Sequence, residues 1–136
     1  MVNTIIIVAA LAATRPHHAA PDALERSVLD SVRQVESGGH PNPERAVGDS
    51  GKAIGPYQIW YAYWADAVQY DPSIGGTYAD CRDAAYAERV ILAYWHRYAP
   101  PSPSAEQLAR IHNGGPKGWK SKATIKYWLR VQANMR

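Results

Sequence analysis

An apolar stripe over residues 24–35 that stops at a cluster of glycines and prolines most constrains the fold of this chain. Four aliphatic residues recur in it at spacings of four, four and three: Leu24, Val28, Val32 and Val35. This spacing predicts an amphipathic helix that buries one face. Pro21 and Asp22 suit the start of that helix, and the glycines and prolines of residues 38–43 end it.

Glu36 follows directly on the stripe, so its carboxyl group is expected at the C-terminal end of the helix. Partial burial beside the negative end of the helix dipole disfavours the ionised form and raises a carboxyl pKa, as a general acid requires. An isolated glutamate at a helix end is nevertheless usually a solvated surface residue. The helix pattern alone leaves both interpretations open.

A second acid, Asp49, lies in a glycine-containing stretch, residues 45–54, which is predicted to form a small β-hairpin or turn. Most glycosidases cleave a glycosidic bond with two carboxyl groups, one held protonated and one ionised. Glu36 and Asp49 are therefore a candidate pair. Glu44 is the rival for the second position, although the prolines before it indicate an exposed loop.

The remainder of the chain is predicted to be mostly helical. Helices are expected at residues 57–68, 80–98, 104–112 and 122–133. The second of these is the longest and is expected to be a buried central helix, while Ser104 and Gln107 resemble a capping box at the start of the third. Five aromatic residues at helical spacing are assigned to the core and not to a cleft: Trp60, Tyr63, Trp64, Trp95 and Trp128.

Three segments, in order, resemble the lysozyme superfamily. Glu36-Ser37-Gly38 followed by GPYQI at residues 55–59 resembles the catalytic-glutamate and GxxQI segments of soluble lytic transglycosylases and goose-type lysozymes. GPYQIWYAYWAD at residues 55–66 and ARIHNGGPKGWKSKATIKYWLRVQ at residues 109–132 resemble the invertebrate-type, or destabilase, lysozymes. Together these segments cover most of residues 33–132, which chance does not readily explain.

The resemblance implies an α+β fold that is mainly α, a lysozyme-like helical domain with a small β-hairpin beside the active-site cleft. It implies a bacteriolytic glycoside hydrolase that cleaves the β-1,4 bond between N-acetylmuramic acid and N-acetylglucosamine, with peptidoglycan or a chitin-like oligosaccharide as partner. Glu36 matches the family's general acid, and Asp49 its second carboxylate. The family's spacing from this aspartate to the GPYQI glycine is about one residue longer, which leaves the Asp49 match open.

Other functions remain open at this point. A lytic transglycosylase would use Glu36 alone and release a 1,6-anhydro product, and a non-catalytic peptidoglycan-binding module would keep the cleft without cleaving. An isopeptidase activity, known in some destabilase relatives, would need a nucleophile, for which Ser121 is the nearest candidate.

The resemblance also points to residues that bind sugar, because HNGG at residues 112–115 resembles the third lysozyme-superfamily motif on the glycone side of the cleft. Carbohydrate recognition combines flat apolar faces with amide, hydroxyl and imidazole groups. The candidates are Tyr57, Gln58, His112, Asn113, Lys120 and Tyr127. Without the motif, His112 would be interpreted as a buried structural histidine or a helix-dipole partner.

Cys81 is the single cysteine, so no intramolecular disulfide can form, although invertebrate-type lysozymes usually contain several. Apolar residues stand at positions where that family has cysteine: Ile54, Ala67 and Trp119. Packing alone must hold the fold, which a content of 46% hydrophobic residues with 5 Trp and 9 Tyr makes feasible. Cys81 is expected to be a small buried hydrophobe and not a nucleophile.

Residues 1–20 are predicted to be a signal peptide or a disordered N-terminal segment, and residues 21–136 the catalytic domain. The apolar run at residues 5–13 is shorter than the roughly 20 residues that span a bilayer, and no Lys or Arg precedes it. It is a weak secretory signal, which favours a secreted or periplasmic protein.

A net charge of +3 and a pI near 9.1 favour attraction to an anionic surface such as a bacterial cell wall. Nucleic acid is not an expected partner, because no recognised nucleic-acid module surrounds the lysine cluster: Lys117, Lys120, Lys122 and Lys126. No cofactor and no metal are expected, since His17, His18 and His40 lack spaced Cys or His partners. A monomer is expected. A protein lysozyme inhibitor is a further candidate partner.

Overall fold

The computed structural model describes residues 19–136. The helices are α1 (Ala23–Ser37), α2 (Tyr61–Tyr70), α3 (Ala84–Tyr98), α4 (Ala105–Gly114) and α5 (Ile125–Asn134). The strands are β1 (Val47–Gly48), β2 (Ala53–Ile54) and β3 (Ile59–Trp60). The predicted class, α+β and mainly α, is confirmed. The apolar run at residues 5–13 and the histidines His17 and His18 lie outside the described residues.

Helix α1 begins and ends as its sequence predicts. Asp22 is the N-cap, and it forms a reciprocal capping box with Glu25 through two hydrogen bonds of 2.8 Å. Val28 and Val32 are fully buried. At the other end the Ser37 hydroxyl donates to the carbonyl oxygen of Pro56 at 2.7 Å, which ties the end of α1 to the GPYQI segment.

The three strands form an antiparallel sheet in the order β1, β2, β3. The predicted hairpin is confirmed, with Val47 opposite Ile54, but β3 was not predicted. Helix α2 begins at Tyr61, four residues later than predicted, because a turn over residues 55–58 returns the chain to pair β3 with β2. The apolar spacing of the helix continues backwards through this turn and strand, and for that reason the sequence predicted a helix from residue 57.

Helix α3 is the buried central helix that the sequence predicts, with Val90, Ile91 and Trp95 at most 1% exposed. It begins at Ala84 and not at residue 80, because Asp83 caps it by accepting a hydrogen bond of 2.8 Å from the Tyr86 N–H. A 3-10 turn occupies the preceding residues, Tyr78–Arg82.

The last two helices also follow the predicted pattern, with one shift. The capping box between Ser104 and Gln107 is present at the start of α4. Helix α5 begins at Ile125, because residues Lys122–Thr124 form a 3-10 turn. Helices α1, α4 and α5 pack against one another, which brings the two ends of the described chain together.

Apolar packing replaces the missing disulfides. Ile54 and Ala67 lie in the core, and Trp119 packs against it while partly buried. Cys81 is fully buried, and burial raises the pKa of its thiol to about 12, so it is the inert hydrophobe that was expected. Within residues 19–136, no helix has the length and apolar character needed to cross a membrane.

Candidate active site

Glu36 lies in the last turn of α1, and its side chain is 20% exposed. Its Oε1 accepts a hydrogen bond of 2.8 Å from the Tyr127 hydroxyl of α5 and lies 3.7 Å from Nε2 of His112 in α4. Three helices from opposite ends of the described chain therefore surround one carboxyl group.

Burial raises the pKa of Glu36 to about 7, from an ordinary value of 4.5. The Tyr127 hydrogen bond and the positive charge of Arg130 act in the opposite direction, because both favour the ionised form. The negative charge of Asp49 adds to the rise. Because desolvation is the largest of these effects, a large fraction of Glu36 is protonated at neutral pH.

Asp49 lies exposed in the turn between β1 and β2. It has a φ of 49°, and Ser50 has a φ of 58°, both in the left-handed region that residues with a Cβ atom seldom adopt. Its Oδ2 accepts a hydrogen bond of 3.0 Å from Nε1 of Trp60. Asp49 is also close enough for its charge to act on the proton affinity of Glu36.

A groove of about 470 Å³ begins at Glu36, and its walls include His40, Val47, Gly48 and Gln58. Two larger grooves lie elsewhere. One lies between α1 and the C-terminal residues 133–136, and the other is bounded by the proline-rich loop at residues 99–103. Neither groove is lined by Glu36 or Asp49. The position of Glu36, and not groove size, therefore selects the smaller groove, which Asp49 adjoins through its neighbour Gly48 without lining it.

Gln58 is the predicted sugar-binding residue that lines this groove. It has a φ of 51°, and its Nε2 donates a hydrogen bond of 2.8 Å to the carbonyl oxygen of Gly55. A Cβ atom on Gly48 would lie 2.3 Å from the Gln58 Oε1, so a side chain at residue 48 would displace the end of the Gln58 side chain. Gln58 thus joins the hairpin to the GPYQI turn at the groove wall.

The structure corrects the predicted sugar contact of Tyr57, whose ring is fully buried. Its hydroxyl donates a hydrogen bond of 2.7 Å to Oε1 of Glu88, and Glu88 also forms a two-pronged ion pair with Arg26 of α1. Tyr57 therefore joins the GPYQI turn to α1 and α3. A buried ring has no face to offer a sugar.

His112, a predicted sugar contact, is 8% exposed and lies beside Glu36. Its Nε2 lies 3.1 Å from the carbonyl oxygen of Tyr57, which can only accept, so Nε2 carries the proton. Its Nδ1 then accepts from the Tyr63 hydroxyl at 3.3 Å. Burial lowers the pKa of His112 to about 4, so it is a neutral wall beside Glu36 and not its ion-pair partner.

The remaining predicted site residues are not gathered at the groove. Asn113 is exposed in the last turn of α4, and Lys120 is exposed with its Nζ 4.7 Å from the centre of the Trp119 ring. Ser121, the isopeptidase candidate, accepts a hydrogen bond from the Ala123 N–H as a helix cap. Glu44 is exposed and, like Asp49, does not line the groove, but among these two acids only Asp49 acts on the proton affinity of Glu36.

Two residues beside the carboxyl groups were not selected from the sequence. Trp60 was assigned to the core, but it is 44% exposed and donates to Asp49. It lies on β3, where alternation turns Ile59 inward and Trp60 outward. Arg130 has its guanidinium 5.5 Å from the centre of the Tyr127 ring, and its i+3 spacing from Tyr127 is the sequence signal that would have identified it.

No group of three or more His, Cys, Asp or Glu side chains in the described part of the chain is arranged to hold a metal ion. The chemistry available at the groove is that of a carboxyl group with a raised pKa and neutral hydrogen-bonding groups, with a second carboxyl group, Asp49, within electrostatic range.

Comparison with known proteins assigns this chain to a family. The Destabilase family model matches residues 26–134. Lysozyme 1 of Crassostrea virginica is 43% identical over 85 residues, which is 60% of this chain but 44% of that protein. Lysozyme of Ostrea edulis is 30% identical over 115 residues, covering 82% of this chain and 81% of that protein.

A solved structure agrees with these relatives. The Meretrix lusoria lysozyme, crystallised in complex with Aeromonas hydrophila PliI, superimposes with a TM-score of 0.65 and 32% identity, over 79% of this chain and 88% of the other. The chain belongs to the Destabilase family of invertebrate-type lysozymes, which are glycoside hydrolases.

Proposed function

We propose that this protein is a peptidoglycan-cleaving lysozyme that hydrolyses the β-1,4 bond between N-acetylmuramic acid and N-acetylglucosamine with two carboxyl groups. The observation that carries the proposal is the raised pKa of Glu36, about 7, at a groove that has a second acid, Asp49, within electrostatic range. One carboxyl group kept neutral beside one kept ionised is the arrangement that glycoside hydrolysis uses.

Glu36 acts as the general acid. Its Oε1 accepts the Tyr127 hydrogen bond, so the acidic proton is placed on the other oxygen, Oε2. From there it passes to the glycosidic oxygen as the bond to the leaving sugar breaks. The neutral His112 ring beside Glu36 adds no positive charge that would stabilise the ionised acid.

Asp49 acts as the nucleophile or as the electrostatic stabiliser of the oxocarbenium-like sugar. Its hydrogen bond to Trp60 suits a carboxylate that keeps one orientation. Gln58 is proposed to contact the sugar from the groove wall. Contacts from Asn113 and Lys120 stay predictions.

The same proposal extends to location and partners. A lysozyme acts on an external polymer, so we place the protein outside the cytoplasm, and its net charge of +3 favours binding to an anionic wall. The related Meretrix lusoria lysozyme forms a complex with PliI of Aeromonas hydrophila. A bacterial protein inhibitor that covers the groove is therefore a proposed partner.

The test is mass spectrometry of the soluble products from purified peptidoglycan. Wild type, Glu36→Gln and Asp49→Asn are compared with Glu44→Gln, a matched control that removes an exposed acid outside the groove. We expect reducing muropeptides from wild type and from Glu44→Gln, and a large loss in the other two variants.

Two other results would replace the proposal. Anhydro-muropeptides that are lost in Glu36→Gln but persist in Asp49→Asn would identify a lytic transglycosylase. Binding of muropeptides without any cleavage by wild type would identify a non-catalytic binding module.

A further inference from the structure

The indole of Trp60 and the carboxylate of Asp49 form a pair that the family resemblance does not assign. Nε1 of Trp60 donates a hydrogen bond of 3.0 Å to Oδ2 of Asp49. Trp60 is 44% exposed, so core packing alone does not account for the placement of its ring.

Asp49 is a residue whose orientation needs support. It is exposed, and it lies in a four-residue turn in which it and Ser50 both have positive φ. A carboxylate in such a turn can rotate freely unless another group holds it. The Lys52 N–H closes the turn by donating to the Asp49 carbonyl oxygen at 3.3 Å, but that bond leaves the carboxylate free.

Trp60, in contrast, is held by the sheet. It pairs with Ala53 in the register between β2 and β3, and it is the N-cap of α2. The Nζ of Lys52 lies 5.8 Å from the centre of its ring, so the turn that carries Asp49 also contacts the indole. Groups on strands hold a site more precisely than groups on loops.

We propose that Trp60 is a positioning residue that orients Asp49 for attack on, or stabilisation of, the sugar. This inference rests on the proposed function. The indole N–H occupies Oδ2, which leaves Oδ1 free to face the anomeric carbon. Because the indole is neutral, it orients the carboxylate without cancelling the negative charge that the reaction needs.

Three variants separate the hydrogen bond from the ring. Trp60→Phe keeps an aromatic ring and removes the donor, whereas Trp60→Gln restores an N–H donor of similar reach without the ring. Trp64→Phe is the matched control, because it also removes an indole hydrogen bond, the one of 2.9 Å to the Tyr86 hydroxyl, away from both carboxyl groups.

We expect kcat on peptidoglycan to fall roughly tenfold or more in Trp60→Phe with KM within about twofold, since a misplaced catalytic group mainly slows the chemical step. Trp60→Gln should regain much of that kcat. Trp64→Phe should keep the wild-type kcat even if its stability falls. A wild-type kcat in Trp60→Phe would overturn the proposal.

A second measurement does not depend on turnover. In a 1H–15N spectrum, the indole resonance that disappears in Trp60→Phe is expected to shift in Asp49→Asn and to stay in place in Glu44→Gln. No shift in Asp49→Asn would show that the hydrogen bond is absent in solution, and this would overturn the proposal whatever the activity.

The two proposals fail in different ways. A wild type that does not cleave removes the proposed function and the catalytic role of Trp60 together. Full activity of Asp49→Asn, with Glu36→Gln inactive, overturns the role of Trp60 and leaves a single-carboxylate enzyme. Loss of activity in Asp49→Asn with full activity in Trp60→Phe overturns the role of Trp60 alone.

Discussion

The hydroxyl of Tyr127 donates a hydrogen bond of 2.8 Å to Oε1 of Glu36, across 91 residues of sequence. It joins α5 to the last turn of α1, where burial raises the pKa of Glu36 to about 7. The phenol favours the ionised carboxylate and so opposes the larger effect of burial. The two largest contributions to the proton affinity of the proposed acid therefore oppose each other.

Removing the Tyr127 hydroxyl should move the alkaline side of the pH profile. In wild type, kcat/KM is expected to fall as pH rises through about 7, because Glu36 loses its proton. Tyr127→Phe removes a group that favours ionisation, so the fall should move to higher pH by roughly half a unit or more. The measurement is kcat/KM between pH 5 and 9, at about one-unit steps.

The control for this profile is Tyr98→Phe, which loses a hydroxyl that donates to Asp66 at 2.9 Å, away from the groove. The alkaline limb of its profile, the fall of kcat/KM at high pH, should match that of wild type. A limb that moves to lower pH in Tyr127→Phe would contradict the assignment of Tyr127 as a donor to the ionised acid.

Glu36→Gln should stabilise the fold at alkaline pH. Because the pKa of Glu36 is higher in the folded state than its ordinary 4.5, the folded protein binds more protons between these values, and stability falls as pH rises. The rise in the Glu36 pKa from 4.5 to about 7 corresponds to roughly 3 kcal/mol of unfolding free energy. This contribution is present below pH ~4.5 and is fully lost above pH ~7.

This second prediction is measured by urea denaturation at pH 4 and at pH 8. Glu36→Gln should exceed wild type in unfolding free energy at pH 8 by up to about 3 kcal/mol and differ little at pH 4. Glu44→Gln, an exposed acid, should show no such pH dependence. An equal effect of Glu36→Gln at both values would show that Glu36 is not desolvated.

Arg130 should tune the same acid through its charge. Arg130→Gln removes a cation that favours ionised Glu36, so the alkaline limb should move to higher pH. Because Arg130 is exposed, the shift should shrink as salt is added beyond about 0.15 M, where screening acts within roughly 8 Å.

Lys126→Gln serves as its control, because it removes one exposed positive charge from the same helix. Net charge falls equally in both variants. If Lys126→Gln moves the limb as far as Arg130→Gln does, the effect is one of overall charge and not of the Arg130 position.

Gly55 should be intolerant of a side chain. It has a φ of 78°, and a Cβ atom there would lie 2.3 Å from the carbonyl oxygen of Cys81. Strain and overlap together should cost about 2–4 kcal/mol of unfolding free energy in Gly55→Ala. Urea midpoints measure this cost, and Gly39→Ala, where a Cβ meets no atom within 4 Å, should change stability by less than about 0.5 kcal/mol.

Local sequence signals predicted the elements that depend on local contacts. The cap at Asp22, the capping box at Ser104 and the buried stripe of α3 are set by residues three or four positions apart, and all three are present. The hairpin around Asp49 was predicted for the same reason, since flanking glycines favour a turn.

Predictions that depended on side-chain direction were less reliable. Tyr57 and His112 belong to motifs, but a motif does not say whether a ring faces the groove or the core, and both rings are buried. The assignment of Trp60 to the core was wrong in the opposite sense. Trp60 lies on β3, which pairs with β2, and not in α2, so the Trp60 side chain points outward.

The sequence by itself determined the family, the helix that carries Glu36 near its end, and a fold held without an intramolecular disulfide, because motif order, periodicity and residue type can be read along the chain. Only the tertiary structure decided how Glu36 titrates and what holds Asp49. Those properties depend on burial and on contacts with Tyr127, Arg130 and Trp60, which only the packing of helices and the pairing of strands bring into range.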